Sequence, residues 1–316
     1  MKTKVFTVIL SICSGSVFAQ MYYSGAENGF QFLEQSYDCR IAAMGGAGSA
    51  QSGQGFSLYN PAMIGSGVAQ QVAARYGQLP GDLSKTSVEA TLRTDLYFAG
   101  FSAMTQTINN IVRTTEQGEG LSYSAPSTVL SLGAGFIRDA YRVGVCVNGF
   151  EDRVAPESPQ RGLSISAGGQ YDCIPGMLTI GIAAFHQVLS ASAFSRENIM
   201  RAGDPVVPRT LRAGAVWTDT IHGIGLCSAV DLVYKESNRS MQVPIGIEVQ
   251  PIKYTSLRLG KKFDIGRDLE SNEICTIGLG ITYAPLSVDL VFVPTQFGSD
   301  TELAWNVGVT WYVDKK

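Results

Sequence analysis

Histidine and serine are the residues of this sequence that first raise the question of catalysis. The chain has two histidines, His186 and His222, and Ser190 and Ser192 follow the first of them. A histidine that takes the proton of a serine hydroxyl can make that serine a nucleophile for hydrolysis. The sequence supplies this pair with no orienting acid and no oxyanion hole. We therefore expect no enzymatic activity, with His186 on the lipid face of a strand and His222 in a turn.

The glycine run from Gly45 to Gly48 is a second candidate for chemistry. A phosphate-binding loop needs a lysine and a helix start after its glycines, and neither follows here. Of the six cysteines, five follow Cys13, and their scattered positions match no zinc site. The sequence leaves open whether two of these five cysteines form a disulfide. We expect no cofactor and no metal, and the net charge of −3 does not favour nucleic-acid binding.

Residues 1–19 read as a secretory signal peptide. Lys2 and Lys4 precede an apolar stretch at 5–12, and Val17-Phe18-Ala19 forms a small-residue cleavage site. An uncleaved anchor is the alternative, which the cleavage pattern disfavours. A lipoprotein would use Cys13, but the bulky Ile12 before it argues against that.

The composition favours a membrane β-barrel over soluble domains. Only 16% of the residues are charged and 35 are glycine, whereas soluble domains carry roughly 25% charged residues. No apolar run has the length of a transmembrane helix. A secreted chain of this kind can enter a membrane as a closed barrel.

Period-two alternation predicts an all-β fold, a transmembrane antiparallel β-barrel of fourteen strands. The last strand shows the pattern best, with Leu303, Trp305 and Val307 on one face and small or polar residues between them. A soluble sandwich would alternate too, but with more charged outward residues. The predicted strands are 71–79, 86–93, 95–103, 128–137, 141–150, 162–171, 177–187, 209–218, 222–234, 242–251, 254–263, 273–284, 286–294 and 303–313.

The connections between these strands alternate in length. Those after the even strands are short, and those after the odd strands are mostly longer, above all 104–127 and 188–208. Bacterial barrels have short periplasmic turns and long extracellular loops. The alternation predicts the outer membrane of a Gram-negative bacterium, surrounded by its lipid, with both chain termini in the periplasm.

Charged residues also fall on the predicted lumen face. A hairpin centred on Lys253 would place Glu248 opposite Arg258, where opposite charges stabilise pairing. Arg40 could pair with Asp231 or Asp289 across the lumen. The lumen-facing charges are Arg212, Asp231, Glu248, Arg258, Lys262 and Asp289, and we interpret them as struts rather than a selectivity ring.

Residues 20–65, which precede the barrel at 66–316, read as a hatch inside the lumen. Phe32-Leu33, Arg40, Ala43 to Ala47 and Asn60-Pro61-Ala62 resemble the start of the PorV/PorQ family of outer-membrane proteins over residues 29–63. That family is similar to the FadL fatty-acid transporters, so the resemblance implies a fourteen-stranded barrel with an N-terminal hatch. The predicted hatch motif is Arg40, Met44, Gly45, Gly46, Asn60, Pro61 and Ala62. The Asn60 turn should lie inside the lumen, with the glycines packed against the barrel wall.

The resemblance implies one of two functions. The first is a type IX secretion accessory, a scaffold that docks on translocon or attachment proteins or on cargo. The alternative, implied by the similarity to FadL, is passive transport of hydrophobic small molecules, with a lipid or another hydrophobic ligand in the lumen. The strand residues facing the lumen are glycine, serine, threonine and charged residues, which favours the scaffold over an apolar pocket.

The two longest predicted loops carry the candidate partner-binding residues. Helical spacing predicts a short amphipathic helix in the first of them, and apolar groups outside the lipid band are expected to pack together or meet a partner. We therefore expect partners at the extracellular mouth. These residues are Met104, Ile108, Ile111 and Val112 in one loop and Phe194, Ile199 and Met200 in the other.

Overall fold

The computed structural model of the protein describes residues 30–115, 118–153, 159–193, 207–237, 239–265, 274–297 and 300–313. The predicted signal peptide, the first residues of the predicted hatch, and Phe194, Ile199 and Met200 lie outside the described residues.

Fourteen antiparallel strands form a closed barrel in which β1 pairs with β14 and every other strand pairs with its sequence neighbours. This confirms the predicted fold class and strand number. The strands are β1 (Gln70–Leu79), β2 (Leu83–Arg93), β3 (Tyr97–Thr115), β4 (Gly118–Arg138), β5 (Tyr141–Asp152), β6 (Gln160–Ile174), β7 (Leu178–Ala193), β8 (Thr210–Ile221), β9 (Ile224–Lys235), β10 (Ser240–Ile252), β11 (Thr255–Ile265), β12 (Ile274–Tyr283), β13 (Leu286–Phe297) and β14 (Asp300–Tyr312).

The outer and inner faces of the barrel differ in polarity. On β5, Val143, Val145 and Val147 point outward and are exposed, whereas Cys146 and Asn148 point inward and are buried. Two pairs of tyrosine rings lie on the outer surface, Tyr141 with Tyr171 and the turn residue Tyr254 with Tyr283. An apolar exterior with aromatic residues near one rim suits a barrel surrounded by lipid.

The two ends of the barrel are built differently. At one end, called the turn end here, strands are joined by short connections at 94–96, 139–140, 175–177, 222–223, 253–254 and 284–285, and β14 also ends there. At the opposite end, called the far end, some connections are longer, as at 153–159 and 266–273. His222 lies in one of the short turns, as predicted.

The predicted loop at 104–127, with its amphipathic helix, is wrong. Met104, Ile108, Ile111 and Val112 all belong to β3, which forms a long hairpin with β4. Positions 104, 108 and 112 are spaced by four, which fits one face of a helix and one face of a strand equally well. A register shift between Ile108 and Ile111 breaks the alternation that would have separated the two interpretations.

This hairpin extends beyond its neighbouring strands at the far end. Strand β2 pairs with β3 only as far as Ile108, and β5 pairs with β4 only as far as Ser127. The base is held by Asn109 and Asn110, whose side-chain amides donate to the carbonyl and carboxylate oxygens of Asp82 at 3.1 Å each. We call residues 109–126 the ribbon.

Residues 30–69, called the lumen segment here, lie inside the barrel. The segment has a 3₁₀ turn at Gln31–Glu34, helix α1 (Cys39–Ala43) and a 3₁₀ helix at Pro61–Ser66. Helix α1 packs on β11 to β14, and the second 3₁₀ helix packs on β2 to β6. The segment therefore spans the lumen from wall to wall. No helix in the described part of the chain is long and apolar enough to cross a membrane.

Candidate functional site in the barrel lumen

Helix α1 directs Arg40 at a charged cluster on the wall. Asp38 caps the helix by accepting from the Ile41 N–H at 2.8 Å, a short-range interaction that favours helix initiation. Arg40 then donates two hydrogen bonds to Glu248, from Nε to Oε2 at 2.9 Å and from Nη2 to Oε1 at 3.0 Å. The expectation that Arg40 pairs with Asp231 or Asp289 is therefore wrong, since Asp231 accepts from the backbone of Gly48 and Ser49 and Asp289 accepts from Arg258.

Glu248 also lies opposite Arg258, as the predicted β10–β11 register required. Arg258 donates to Glu248 and to Asp289 at 2.5 Å each. The result is an alternating chain of charges from Arg40 to Asp289. Such a bidentate, fully paired arrangement is the kind that compensates for burying charge.

Asp231 holds the lumen segment by its backbone. Its carboxylate accepts from the Gly48 N–H at 3.0 Å, the Ser49 N–H at 2.9 Å and the Ser49 hydroxyl at 2.8 Å. Arg212 lies 3.7 Å from the same carboxylate. The predicted lumen positions of Arg212 and Asp231 are thus correct, and both contact the segment.

The two motif glycines have different surroundings. A Cβ at Gly45 would lie 2.8 Å from the carbonyl oxygen of Lys261, whereas one at Gly46 would meet nothing within 4 Å. Both residues have positive φ, 70° and 92°. Close packing against the wall therefore requires glycine at position 45, while only the backbone conformation favours it at 46.

Asn60 ties together two turns of the segment and the wall. Its side-chain amide donates to the carbonyl oxygens of Ser49 at 2.7 Å, Gly169 at 3.0 Å and Ile182 at 3.2 Å. Its Oδ1 accepts from the Ala62 N–H at 2.9 Å, and Pro61 begins the 3₁₀ helix. The Asn60-Pro61-Ala62 turn inside the lumen is as the sequence predicted. Met44, the remaining motif residue, is fully buried.

A second ionic contact was not predicted from the sequence. Arg75 of β1 donates to Asp38 at 2.9 Å and lies 3.5 Å from Glu89. Glu89 in turn accepts from the Gly55 N–H at 2.9 Å. Alternation along β1 and β2 would have placed Arg75 and Glu89 on the lumen face, since both lie between outward apolar residues.

An apolar cluster fills the lumen on the side of β3 to β7. Phe56 and Ile64 lie over Gly100 and Gly133, where a Cβ would come within 3.3 Å of their atoms. The strand residues alone look polar, and the lumen segment itself supplies most of the apolar side chains. Among the cluster members are Phe30, Phe32, Leu33, Phe56, Met63 and Ile64 of the segment and Phe98, Met104, Val129, Phe150 and Val207 of the wall.

His186 faces the lumen, so its prediction on the lipid face is wrong. It has φ 56° and is 3% exposed, and Phe185 before it is also buried. A register shift in the β6–β7 ladder, where Ile165 pairs with Gln187 and Ala167 with Ala184, accompanies this reversal of the alternation. The Nδ1 of His186 lies 3.1 Å from the hydroxyl of Ser164, so its serine contact is Ser164 instead of Ser190 or Ser192.

The five cysteines in the described part of the chain form no disulfide with one another. They are Cys39, Cys146, Cys173, Cys227 and Cys275. Burial of Cys39 in α1 raises the pKa of its thiol to about 12, which keeps it protonated and unreactive. Across the residues that the structure describes, no group of three or more His, Cys, Asp or Glu side chains could hold a metal ion.

Comparison with known proteins identifies solved structures of similar fold. No sequence-family profile and no curated protein matches the chain. Solved structures do: the CymD monoaromatic hydrocarbon channel (TM-score 0.60, 12% identity, 89% of this chain and 98% of that one) and the toluene transporter TodX of P. putida (0.59, 12%, 88% and 98%). A FadL homologue of Pseudomonas aeruginosa also matches (0.53, 9%, 88% and 98%).

The chain has the fold of these outer-membrane proteins. At such identities the likeness extends to the barrel and its strand order and not to individual residues.

Proposed function

We propose that this chain is an outer-membrane channel for small hydrophobic molecules and that the lumen segment is its hatch. The observation that carries the proposal is the apolar cluster inside the lumen, where the segment meets β3 to β7. A polar scaffold barrel has no need of such a cluster, whereas a conduit for hydrophobic solutes needs a largely apolar site. The fold likeness to the CymD and TodX channels supports the same function.

The two sides of the lumen segment are held by different forces. Ion pairs and carboxylate–backbone bonds fix residues 38–55 through Glu248, Asp231 and Glu89. Beyond Asn60, whose amide binds carbonyl oxygens on β6 and β7, the second 3₁₀ helix and Phe56 are held by apolar contact. A hydrophobic solute replaces apolar contacts at little cost, but it cannot replace an ion pair. We infer that solutes pass on the β3–β7 side while the charged side stays fixed.

We further propose that the turn end faces the periplasm of a Gram-negative bacterium. Its short connections and the end of β14 support this orientation. The far end, with the ribbon, then faces the exterior.

We also infer that the chain is not an enzyme. His186 contacts the serine hydroxyl of Ser164 and donates its backbone N–H to Ser166 at 3.2 Å. Both contacts suit a buried polar network that spans strands. A nucleophile needs a base that is itself held by an acid.

Uptake of ¹⁴C-toluene by Gram-negative cells that express the chain tests the channel. We expect faster uptake than in cells carrying the empty vector, with equal amounts of folded barrel verified by heat-modifiable gel mobility. Glucose uptake serves as the control for general leakage and should not change. Equal toluene uptake in both strains would rule out the channel.

A scaffold role in type IX secretion is the second candidate. The resemblance to PorV/PorQ over residues 29–63 and the ribbon that extends past the rim favour it. Affinity purification from native membranes would compare wild type with a variant in which a two-residue turn replaces residues 111–123. Residues 105–108 must stay, because they pair with β2. Secretion proteins that co-purify only with wild type would support the scaffold, and their absence from both would exclude it.

A further inference from the structure

The outer surface changes from apolar to polar at one level on four neighbouring strands, β3 to β6. The outward residues at this level, adjacent in register, are Thr105, Thr128, Glu151 and Arg161. The outward residues one step nearer the turn end are small or apolar, namely Ala103, Leu130, Gly149 and Leu163. The apolar band that suits lipid chains therefore ends between these two levels.

The height of the polar level matches the thickness of a membrane. On the β5–β6 ladder, the pair Glu151–Arg161 lies ten residues from the pair Tyr141–Tyr171 at the turn end. Ten residues at about 3.4 Å each, in strands tilted by about 35–45°, rise about 24–28 Å. The apolar band of outer-membrane barrels is about 25 Å tall. The tyrosine pair and the charged pair therefore mark the two edges of the bilayer.

Two arginines are held side by side at the far-end edge. One carboxylate oxygen of Glu151 accepts from the Nε–H of Arg161 at 2.5 Å, and the other accepts from the Nε–H of Arg153. Their side chains are 63% and 51% exposed. A guanidinium has five N–H donors, and Glu151 takes one from each arginine. The shared carboxylate thus positions two guanidinium groups while the cluster keeps a net charge of +1.

The chemistry of this cluster favours an anion with several oxygens. Planar guanidinium donors match the oxygens of a phosphate in pairs, which a single ammonium group cannot do. Exposed ion pairs contribute little to folding, so the stability of the barrel does not require the cluster. Another exposed pair at the far end, Arg209 and Glu236 at 3.7 Å, has one charge of each sign and brings no net charge.

We propose that Arg153 and Arg161 bind a phosphate group of lipopolysaccharide, the glycolipid of the outer leaflet of a Gram-negative outer membrane. The phosphates of its lipid A part lie directly above the acyl chains, at the level where Glu151 holds the two arginines. The hydroxyls of Thr105 and Thr128, 3.3 Å apart on the same level, supply hydrogen-bonding groups for the sugar. This inference rests on the proposed orientation, with the far end toward the exterior, and adds a lipid site to the wall.

Lipid retention provides the test. Purified barrel in detergent is mixed with ¹⁴C-labelled lipid A, either intact or stripped of its phosphates by a phosphatase. We expect wild type to retain at least fivefold more of the intact lipid, and the double variant Arg153→Gln, Arg161→Gln to lose this preference. Arg209→Gln is the matched control and should keep it. Heat-modifiable gel mobility verifies that each variant is folded.

Three results would overturn the site. They are equal retention of the two lipids by wild type, an unchanged preference in the double variant, and retention of ¹⁴C-labelled phosphatidylglycerol as strong as that of intact lipid A. The comparison of lipids on wild type stands even if the double variant fails to fold.

Two further measurements separate this site from the proposals beside it. A membrane-impermeant maleimide should label Arg239→Cys, an exposed position between β9 and β10 at the far end, in intact cells. Labelling no stronger than in wild type would overturn the assignment to the outer leaflet. Toluene uptake should be equal in wild type and the double lipid-site variant, so failure of the lipid site leaves the channel standing. Absence of uptake in wild type rejects the channel without changing the lipid result.

Discussion

At the scale of single residues, the lumen segment is held by buried ion pairs, and separating their charges costs free energy. Arg40, Glu248, Arg258 and Asp289 alternate in sign, and each touches the next. Their burial costs free energy that only complete pairing offsets. Removing a central member leaves two arginines facing each other, whereas removing an exposed charge elsewhere changes little.

Glu248→Ala tests this chain of charges. We expect the barrel to lose roughly 3–5 kcal/mol of stability, because Arg40 and Arg258 lose their shared carboxylate. The temperature of half-conversion in heat-modifiable gel mobility measures it. Glu236→Ala is the control, since its pair with Arg209 is exposed and contributes about 0–1 kcal/mol. Equal shifts in both variants would contradict the argument.

Gly45→Val and Gly46→Val separate packing from backbone strain. Both put a β-branched side chain at positive φ, but only position 45 also meets the Lys261 carbonyl oxygen. We expect Gly45→Val to unseat the segment and Gly46→Val to do so less. Entry of a large antibiotic such as vancomycin into cells reports the difference. Greater entry with Gly46→Val than with Gly45→Val would show that wall contact does not matter.

At the scale of elements, the strands were predictable and their local interruptions were not. Alternation is a local property, so all fourteen strands and the Glu248–Arg258 register could be read from the sequence. The reversal at His186 and the shift near Asn110 are irregularities of one residue, and each changes which face every later residue occupies. The shift near Asn110 also interrupts the strand alternation of β3, and the spacing of residues 104, 108 and 112 therefore suggested a helix.

The ribbon is expected to be dispensable for folding. Residues 111–115 form ladder pairs with residues 118–123, and both stretches lie beyond the ends of β2 and β5. Replacing them with a two-residue turn should leave the heat-modifiable transition within a few degrees of wild type. Replacing 105–120 instead removes wall pairs and should abolish the folded band. A large loss of stability in the first variant would mean that the ribbon supports the barrel.

At the scale of the whole molecule, the lumen segment connects opposite sides of the barrel wall. Asn60 binds carbonyl oxygens on β6 and β7, while α1 packs on the opposite strands β11 to β14. The sequence predicted a plug from the glycine run and the Asn60 turn. It could not give the apolar cluster or the partner of Arg40, because both depend on how residues far apart in sequence meet in the closed ring.

Deleting residues 20–65 should turn the barrel into an open pore. Without the segment, the lumen of a fourteen-stranded barrel lined by Glu248, Arg258 and Asp231 would fill with water. Planar-bilayer recording should show steady conductance steps for the deletion and few or none for wild type. A boiled sample of the deletion variant controls for detergent artefacts. Equal conductance in the two folded proteins would mean that the segment does not block the lumen.

The placement of the segment inside a ring closed by β1 and β14 sets an order of assembly. Gly48 contacts Asp231 at a sequence separation of 183, Arg40 contacts Glu248 at a separation of 208, and Gly45 contacts Thr276 at a separation of 231. Contacts so distant along the chain form late, because the entropy of closing such loops must be overcome first. The lumen segment is synthesised early, but it can reach its final contacts only after the C-terminal strands have been synthesised. We therefore expect the β1–β14 hydrogen bonds, which close the ring, to form while the lumen segment already lies inside the barrel.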